Sequence, residues 1–116
     1  MDEKILDIAE FMDRIQGDKA LALELLDIFV QDFREKRRAM AEALLGNDAD
    51  QIRKLSHALK GSSGNISAHA LHVILSHLED MGKRNDLAGA GALVADLDTK
   101  FEALLARIAI LREELK

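Results

Sequence analysis

The sequence predicts an all-α fold, an antiparallel up-down-up-down four-helix bundle with a short extra helix at its N-terminus. Apolar residues recur at steps of three and four along most of the 116 residues, which is the period of an amphipathic helix. Proline, tryptophan and tyrosine are absent and phenylalanine occurs four times, so the aromatic residues that favour strands are scarce. The intervening segments are only a few residues long, and short loops between long helices make neighbouring helices antiparallel.

The first predicted helix is a short segment that stops at Gly17, and the second is a long helix that Asp18 is placed to cap. The short segment has one apolar face, formed by Ile5, Ile8, Met12 and Ile15. The long helix ends near Leu45, because the turn residues Gly46-Asn47-Asp48 follow it. Its apolar positions are Leu21, Leu25, Ile28, Phe29, Phe33, Met40, Leu44 and Leu45.

The third predicted helix runs from about Ala49 to Ser63, and Asp48 can cap it. An α-helix advances about 100° per residue, so one side of this helix collects a stripe that we expect to be buried. The stripe consists of Ile52, Leu55, Leu59 and Ser62. His57 lies almost opposite this stripe, and we therefore expect its ring to face solvent.

The fourth and fifth predicted helices complete the bundle. The fourth begins at a Ser67 cap and reaches Gly82, and the loop 83–86 follows it. Its apolar face is formed by Leu71, Leu75 and Leu78. The last helix, from Leu87 onwards, has the most regular pattern, with steps of three and four that are typical of a bundle seam. This seam consists of Leu87, Ala90, Val94, Leu97, Phe101, Leu104, Ile108, Leu111 and Leu115.

Composition narrows the classes of function. The length suits one domain, so we expect residues 1–116 to form a single domain. The formal net charge of −5 disfavours binding to nucleic acid, because the field repels phosphate backbones. There is no cysteine, which excludes disulfides and thiolate chemistry. Met1-Asp2-Glu3 carries no basic leader and no apolar run approaches the ~20 residues of a membrane span, so we expect a cytoplasmic protein without membrane insertion.

His57 is the strongest candidate for chemistry. Arg53 and Lys54 lie one turn before it on the same face, and Lys60 and Gly61 lie one turn after it. An exposed neutral imidazole is a nitrogen nucleophile, and phosphoryl transfer depends mainly on positioning and charge stabilisation. Lys60 can meet phosphoryl oxygens as a mobile cation, and Gly61 leaves the space beside the ring clear.

Two further features extend this candidate site. Gly64, two turns after His57, lengthens the clear track along the helix. Glu79 is the candidate for holding the second ring nitrogen in the required tautomer, because the turn after Gly64 folds the fourth helix back beside the third. Asp80 is the fallback for that role. Alternatively, Glu79 is a surface carboxylate that pairs with Lys83, four residues later.

The residues from Leu55 to Asp80 resemble the histidine-containing phosphotransfer (HPt) domain. The family signature is a histidine, an apolar residue two positions later, Lys-Gly and two small residues. Here these are His57, Leu59, Lys60, Gly61, Ser62 and Ser63, followed by Asn65-Ile66, Leu71 and Leu78-Glu79. One departure is Ser67, where the family usually has glycine. Because serine is a good helix cap, we expect this change to be conservative.

The resemblance implies a four-helix HPt domain over residues 1–116 whose histidine accepts a phosphoryl group from a receiver-domain aspartate and passes it on. It implies that His57 is the phospho-acceptor, Lys60 the phosphate contact and Glu79 the partner of the ring. It makes Gly61 and Gly64 docking space for the receiver, and Lys83 an additional cation. The partners implied are response-regulator receiver domains and a sensor histidine kinase of the simple or the hybrid type.

Local charge agrees with such a partner, since a receiver's phosphorylation pocket is acidic and Arg53, Lys54 and Lys60 surround the histidine. Gly61-Ser62-Ser63-Gly64 lacks the lysine placement and the preceding strand of a nucleotide-binding loop. We therefore expect a monomeric phosphotransfer intermediate with no cofactor and no kinase activity of its own.

Two other functions stay open from the sequence. His57 could be the phospho-acceptor of a chemotaxis-type histidine kinase, phosphorylated from ATP by a separate kinase domain. Alternatively, the chain is a non-catalytic helical interaction or metal-binding bundle. His69 and His72 can share a helix face, but His77 points away and no carboxylate in that helix completes a ligand set. We therefore expect no metal site, and we interpret these histidines as polar helix surface.

Overall fold

In the computed structural model, the described residues 4–115 form five α-helices and no strand. The helices are α1 (Ile8–Arg14), α2 (Lys19–Leu45), α3 (Ala49–Asn65), α4 (His69–Lys83) and α5 (Ala90–Glu114). The all-α class and the pattern of one short and four long helices are therefore confirmed. No helix in residues 4–115 is both long and apolar enough to cross a membrane. Residues 1–3, on which the expectation of no basic leader depends, lie outside the described part of the chain, as does residue 116.

Aspartate side chains start three of the helices. A carboxylate oxygen of Asp7 accepts a hydrogen bond from the backbone N of Glu10 at 3.1 Å. Asp18 and Asp48 accept equivalent bonds at the starts of α2 and α3, from Leu21 and Gln51. These contacts satisfy backbone N–H groups that have no partner inside the helix. They confirm the caps predicted at Asp18 and Asp48.

The predicted cap at Ser67 is wrong. Ala68 is the residue at the N-cap of α4, and it makes no side-chain cap bond. Ser67 has a φ of +62°, and its hydroxyl donates to Oε1 of Glu10 at 2.9 Å instead. A left-handed backbone is the conformation that glycine tolerates best, which gives a physical reason for the glycine usual at this position. The substitution is therefore not the conservative cap that we expected.

Two other helix limits differ from the prediction. The helix α5 begins at Ala90 rather than near Leu87, because the preceding Gly89 has a left-handed φ of +83° and the helix cannot continue back through it. Leu87 instead lies in the connecting turn, where its backbone O accepts from the N of Ala90 at 3.0 Å. At the other end, α3 continues past Ser63 to Asn65.

The four long helices form a ring of contacts around an apolar core. The helix α3 packs against α2 and α4, and α5 packs against α4 and α2, while α1 adds contacts to α2. Between α2 and α5 the rings of Phe33 and Phe101 stack with centroids 4.0 Å apart. Arg37 donates to Asp98 at 2.7 and 2.8 Å along the same seam. The predicted seam of α5 is buried from Ala90 to Leu111.

The helices α3 and α4 approach each other closely at Gly82. A Cβ added there would lie 2.7 Å from the backbone N of Arg53 and 2.8 Å from the backbone O of Ala49. These distances are shorter than van der Waals contact, so only a residue without a side chain permits this packing. The sequence pattern predicts Gly82 only as the end of the helix.

The buried residues of α3 differ from the predicted stripe, and the buried face lies closer to α4. Ser56 and Ser63 are fully buried, whereas Leu55 and Ser62, which we predicted to be buried, are only half-buried. The reason is that α3 packs against two helices, and small residues on the α4 side allow the backbones to approach. Ile52 and Leu59 are buried as predicted.

Candidate functional site

His57 projects from the middle of α3 on the side away from the core, and 69% of its side-chain surface is exposed. Its Nδ1 lies 2.6 Å from Oε2 of Glu79, which is on α4. A carboxylate only accepts hydrogen bonds, so Nδ1 carries the proton and donates it. The proton on Nδ1 leaves the Nε2 lone pair free, and Nε2 has no hydrogen-bond partner within residues 4–115.

Glu79 is buried, and its two oxygens serve two different residues of α3. Oε1 accepts from Nζ of Lys60 at 2.5 Å, while Oε2 faces the His57 ring. The hydrogen bond from Lys60 lowers the pKa of the Glu79 carboxyl below its ordinary value of 4.5, and the bond from His57 and the charges of Lys60 and Lys83 act in the same direction. Burial opposes this effect. Near neutral pH the group is therefore a carboxylate that can hold the ring tautomer and balance positive charge on it.

The alternative pairing of Glu79 with Lys83 is not the arrangement in the structure. The hydrogen bonds of the carboxylate go to His57 and Lys60. Lys83 is exposed and acts on the carboxyl through its charge. Asp80, the fallback acceptor, is exposed, and its side chain forms no hydrogen bond or ion pair among residues 4–115.

Arg53 and Lys54 lie on the predicted face, but both are engaged by one carboxylate. Arg53 donates to Asp50 at 2.8 Å, and Nζ of Lys54 lies 3.1 Å from the same carboxylate. These hydrogen bonds lower the pKa of Asp50. The three side chains are substantially exposed, so solvent screens the pairs and a partner can displace them at little cost.

The two glycines of the predicted docking track have different surroundings. A Cβ added at Gly61 would meet nothing within 4 Å, so the missing side chain leaves open space beside the histidine. A Cβ added at Gly64 would lie 3.4 Å from Nδ1 of His72. The space at Gly64 is therefore bordered by another side chain of the protein.

The other histidines occupy three different environments. His77 is exposed and has no hydrogen-bond partner within residues 4–115, which agrees with the polar-surface interpretation. His69 is half-buried, with Nε2 3.2 Å from the Glu10 carboxylate. His72 is also half-buried, with Nδ1 3.1 Å from the backbone O of Lys60. The polar-surface interpretation is therefore incomplete for His69 and His72, because both partly exposed rings also bind residues of neighbouring elements.

Residues 4–115 contain one group whose side chains could together contact a metal ion, formed by Asp7, Glu10 and His69. The fold, rather than the spacing within α4, brings these carboxylates to the histidine. Asp7 caps α1, and Glu10 accepts from Ser67 and from Arg14 at 2.9 Å in each case. These internal hydrogen bonds already account for the arrangement of the cluster.

Sequence reasoning missed two features near the site, the close approach at Gly82 and the contact between His72 and Lys60. A signal for His72 was present, since it precedes Glu79 by seven residues and therefore lies on the same face of α4. No comparable signal existed for Gly82, because the distance between two helices is not encoded in the periodicity of either one.

Comparisons with known proteins agree with the geometry. A family model described as the Hpt domain matches residues 24–109. Among solved structures, the chain is similar to the crystal structure of histidine-containing phosphotransfer protein B (HptB) from Pseudomonas aeruginosa PAO1. The TM-score is 0.84 at 28% sequence identity, over 96% of this chain and 94% of that one. Curated proteins yielded no significant match.

Proposed function

This chain belongs to the family of Hpt domains, and we propose that it carries a phosphoryl group on His57 within a two-component phosphorelay. The observation that supports this most directly is the contact between Nδ1 of His57 and Oε2 of Glu79. It holds the ring in the tautomer whose Nε2 is a nucleophile, on a side chain that is 69% exposed.

The proposed step is a transfer between two side chains. Nε2 of His57 forms a bond to phosphorus as the bond between phosphorus and the carboxylate oxygen of a receiver aspartate breaks, and the aspartate leaves as a carboxylate. The proton stays on Nδ1, so the phosphorylated ring becomes positively charged, and the Glu79 carboxylate balances that charge. The reverse step returns the phosphoryl group to an aspartate of the same or another receiver.

Lys60 is the proposed contact for the phosphoryl oxygens. Its ammonium group lies 2.5 Å from Oε1 of Glu79, and its side chain is 26% exposed. The same carboxylate therefore holds both the nucleophile and the cation, and a short movement of the flexible lysine stem would bring the ammonium to an incoming phosphoryl group.

We assign docking roles to the residues around this pair. The open space at Gly61 accommodates the receiver surface beside the ring, and at Gly64 this surface would meet the ring of His72, which borders that glycine. Arg53 and Lys54 exchange Asp50 for acidic groups of the receiver, and Lys83 adds positive charge at the edge of the same surface.

The partners in this proposal are receiver domains of response regulators and a sensor histidine kinase that feeds the relay. The chain acts as a cytoplasmic, monomeric intermediate without nucleotide chemistry of its own.

We also propose that the four long helices alternate in direction around the core of the bundle. Consistent with this, Asp27 in the first half of α2 pairs with Arg112 near the end of α5, and Arg37 in the second half of α2 pairs with Asp98 in the first half of α5.

The test is phosphoryl transfer from receiver domains that have been phosphorylated with labelled acetyl phosphate in the presence of Mg²⁺. We expect the wild-type chain to gain acid-labile, base-stable label, as phosphohistidine does, and the His57→Gln variant to gain none. Equal labelling of the variant would rule out His57 as the acceptor. Failure of wild type to draw label from any receiver of a panel would contradict the relay function.

A further inference from the structure

His72 lies outside the acceptor site, yet it contacts the turn of α3 that carries Lys60. The ring is half-buried and its Nδ1 lies 3.1 Å from the backbone O of Lys60. A carbonyl oxygen only accepts, so Nδ1 of His72 carries a proton and donates it across the interface between α4 and α3. This bond supplements the hydrogen bonds within α3 rather than replacing one of them.

The position of His72 on α4 is matched to that of Glu79. The two residues are seven positions apart, which places them two turns apart on one helix face. Glu79 binds the ammonium group of Lys60 at 2.5 Å, and His72 binds the backbone of the same residue. Two residues on one face of α4 therefore bind Lys60, one at its side-chain ammonium group and the other at its backbone carbonyl.

Gly64 borders the ring of His72. A Cβ added at Gly64 would lie 3.4 Å from Nδ1 and 3.8 Å from Cε1 of that ring, which is ordinary van der Waals contact. On the other side, Arg14 of α1 donates to the backbone O of Gly64 at 2.5 Å. The end of α3 is thus held by both α1 and α4.

We propose that His72 is a positioning residue for phosphoryl transfer, because its bond to the Lys60 carbonyl sets the register of α3 against α4. The contacts of Glu79 with His57 and Lys60 are 2.6 and 2.5 Å long. Both bonds cross between the two helices and depend on the distance and alignment of donor and acceptor, which a shift of one helix along the other would change. A shift of α3 along α4 would therefore break both the bond that fixes the tautomer of the His57 ring and the bond that holds Lys60. This role rests on the proposed acceptor function of His57.

The experiment compares His72→Ala and His72→Asn with His77→Ala, which removes an exposed histidine of the same helix without a partner in residues 4–115. The first readout is the tautomer of the His57 ring, measured from its ¹⁵N resonances without any phosphodonor. The second is the rate of transfer from a phosphorylated receiver domain at saturating concentration. Asparagine is included because its amide nitrogen can replace the Nδ1 donor.

We expect His72→Ala to shift the His57 ring from the Nδ1-protonated form toward a mixture of tautomers and to slow saturated transfer about tenfold. His72→Asn should keep much of the wild-type tautomer and of the wild-type transfer rate, and His77→Ala should change neither the tautomer nor the rate. A wild-type tautomer in His72→Ala would overturn the proposal even if transfer were slower. Failure of the Asn variant to recover would also overturn it. If wild type accepted no phosphoryl group, the acceptor function would fail while the ring measurement still decided the positioning.

Discussion

Nδ1 of His57 and Oε2 of Glu79 lie 2.6 Å apart across the interface between α3 and α4, although 22 residues separate them in the chain. The contact joins an exposed ring to a buried carboxylate. The two helices pack closely at Gly82, and His72 of α4 donates to the backbone O of Lys60 in α3. Packing between helices thus determines the chemistry available at the surface.

Replacing the Glu79 carboxylate tests its double role. We expect Glu79→Gln to slow phosphoryl transfer by about one order of magnitude, because an amide has one accepting oxygen where the carboxylate serves both His57 and Lys60. Transfer is measured at saturating receiver concentration. The matched control is Asp80→Asn, which neutralises the next, exposed carboxylate. Equal effects of the two variants would mean that general charge, rather than the contact with the ring, is responsible.

The stability contributed by Glu79 should depend on pH. The pKa of its carboxyl is lowered in the folded protein, chiefly by the bond from Lys60, from an ordinary value of 4.5. The unfolded chain therefore binds this proton first as the pH falls, and the contribution is complete above about pH 4.5 and disappears as the pH falls through the lower, folded value. Urea unfolding of wild type and Glu79→Gln at several pH values measures this difference.

For that measurement, Asp80→Asn corrects for the general effect of removing one negative charge. The difference in unfolding free energy between wild type and Glu79→Gln should shrink on acidification by more than the corresponding difference for Asp80→Asn. A difference that stays constant, or grows, between neutral pH and the acid range would show that ionised Glu79 does not stabilise the fold.

Substitution of Gly61 should change the stability of the fold and the rate of phosphoryl transfer in opposite directions. An added Cβ there meets nothing within 4 Å, so Gly61→Ala should stabilise α3 by about 1 kcal/mol through helix propensity. The docking role predicts that the same variant transfers phosphate more slowly, because the methyl group occupies space used by the receiver. Gly91→Ala is the control, since Gly91 is equally open but lies on α5. Unimpaired transfer by Gly61→Ala and by the bulkier Gly61→Gln would refute the docking role.

Gly82 should have the opposite effect on stability. A Cβ there would lie within 2.8 Å of backbone atoms of Ala49 and Arg53, so α3 and α4 must separate. We expect Gly82→Ala to lower the free energy of unfolding by about 1–3 kcal/mol, as overpacking of a well-packed interface does. Thermal or urea unfolding measures it. If Gly82→Ala were as stable as wild type, the close approach of the two helices would not be a constraint on this fold.

Much of the fold follows from local signals in the sequence. The period of the apolar residues and the aspartates at positions 18 and 48 predict α2 and α3 closely, because capping and amphipathicity act within a few residues. Ser67 was misassigned because capping preference does not report backbone φ, which the packing of α1 and α4 imposes here. Leu87 was misassigned for a similar reason, since the left-handed Gly89 separates it from α5.

The sequence likewise predicts only part of the candidate site. The exposed face of the third predicted helix indicated His57, Lys60 and Gly61, the resemblance to the HPt family gave them roles, and antiparallel folding placed Glu79 within reach of the ring. The contact of His72 and the turn of the buried stripe toward Ser56 and Ser63 depend on the distance and rotation between α3 and α4. Those quantities are set by many residues together, and no single helix pattern contains them.

The most direct test of the central claim needs no partner protein. The chain is treated with phosphoramidate, a small donor that phosphorylates reactive imidazoles, and NMR of the ring nitrogens and phosphorus identifies the modified atom. His77 serves as an internal reference, because it is exposed and lacks a partner within residues 4–115. We predict phosphorylation of Nε2 of His57 well before His77, and loss of this selectivity in Glu79→Gln. Modification of Nδ1 of His57, or equal modification of His57 and His77, would contradict the account.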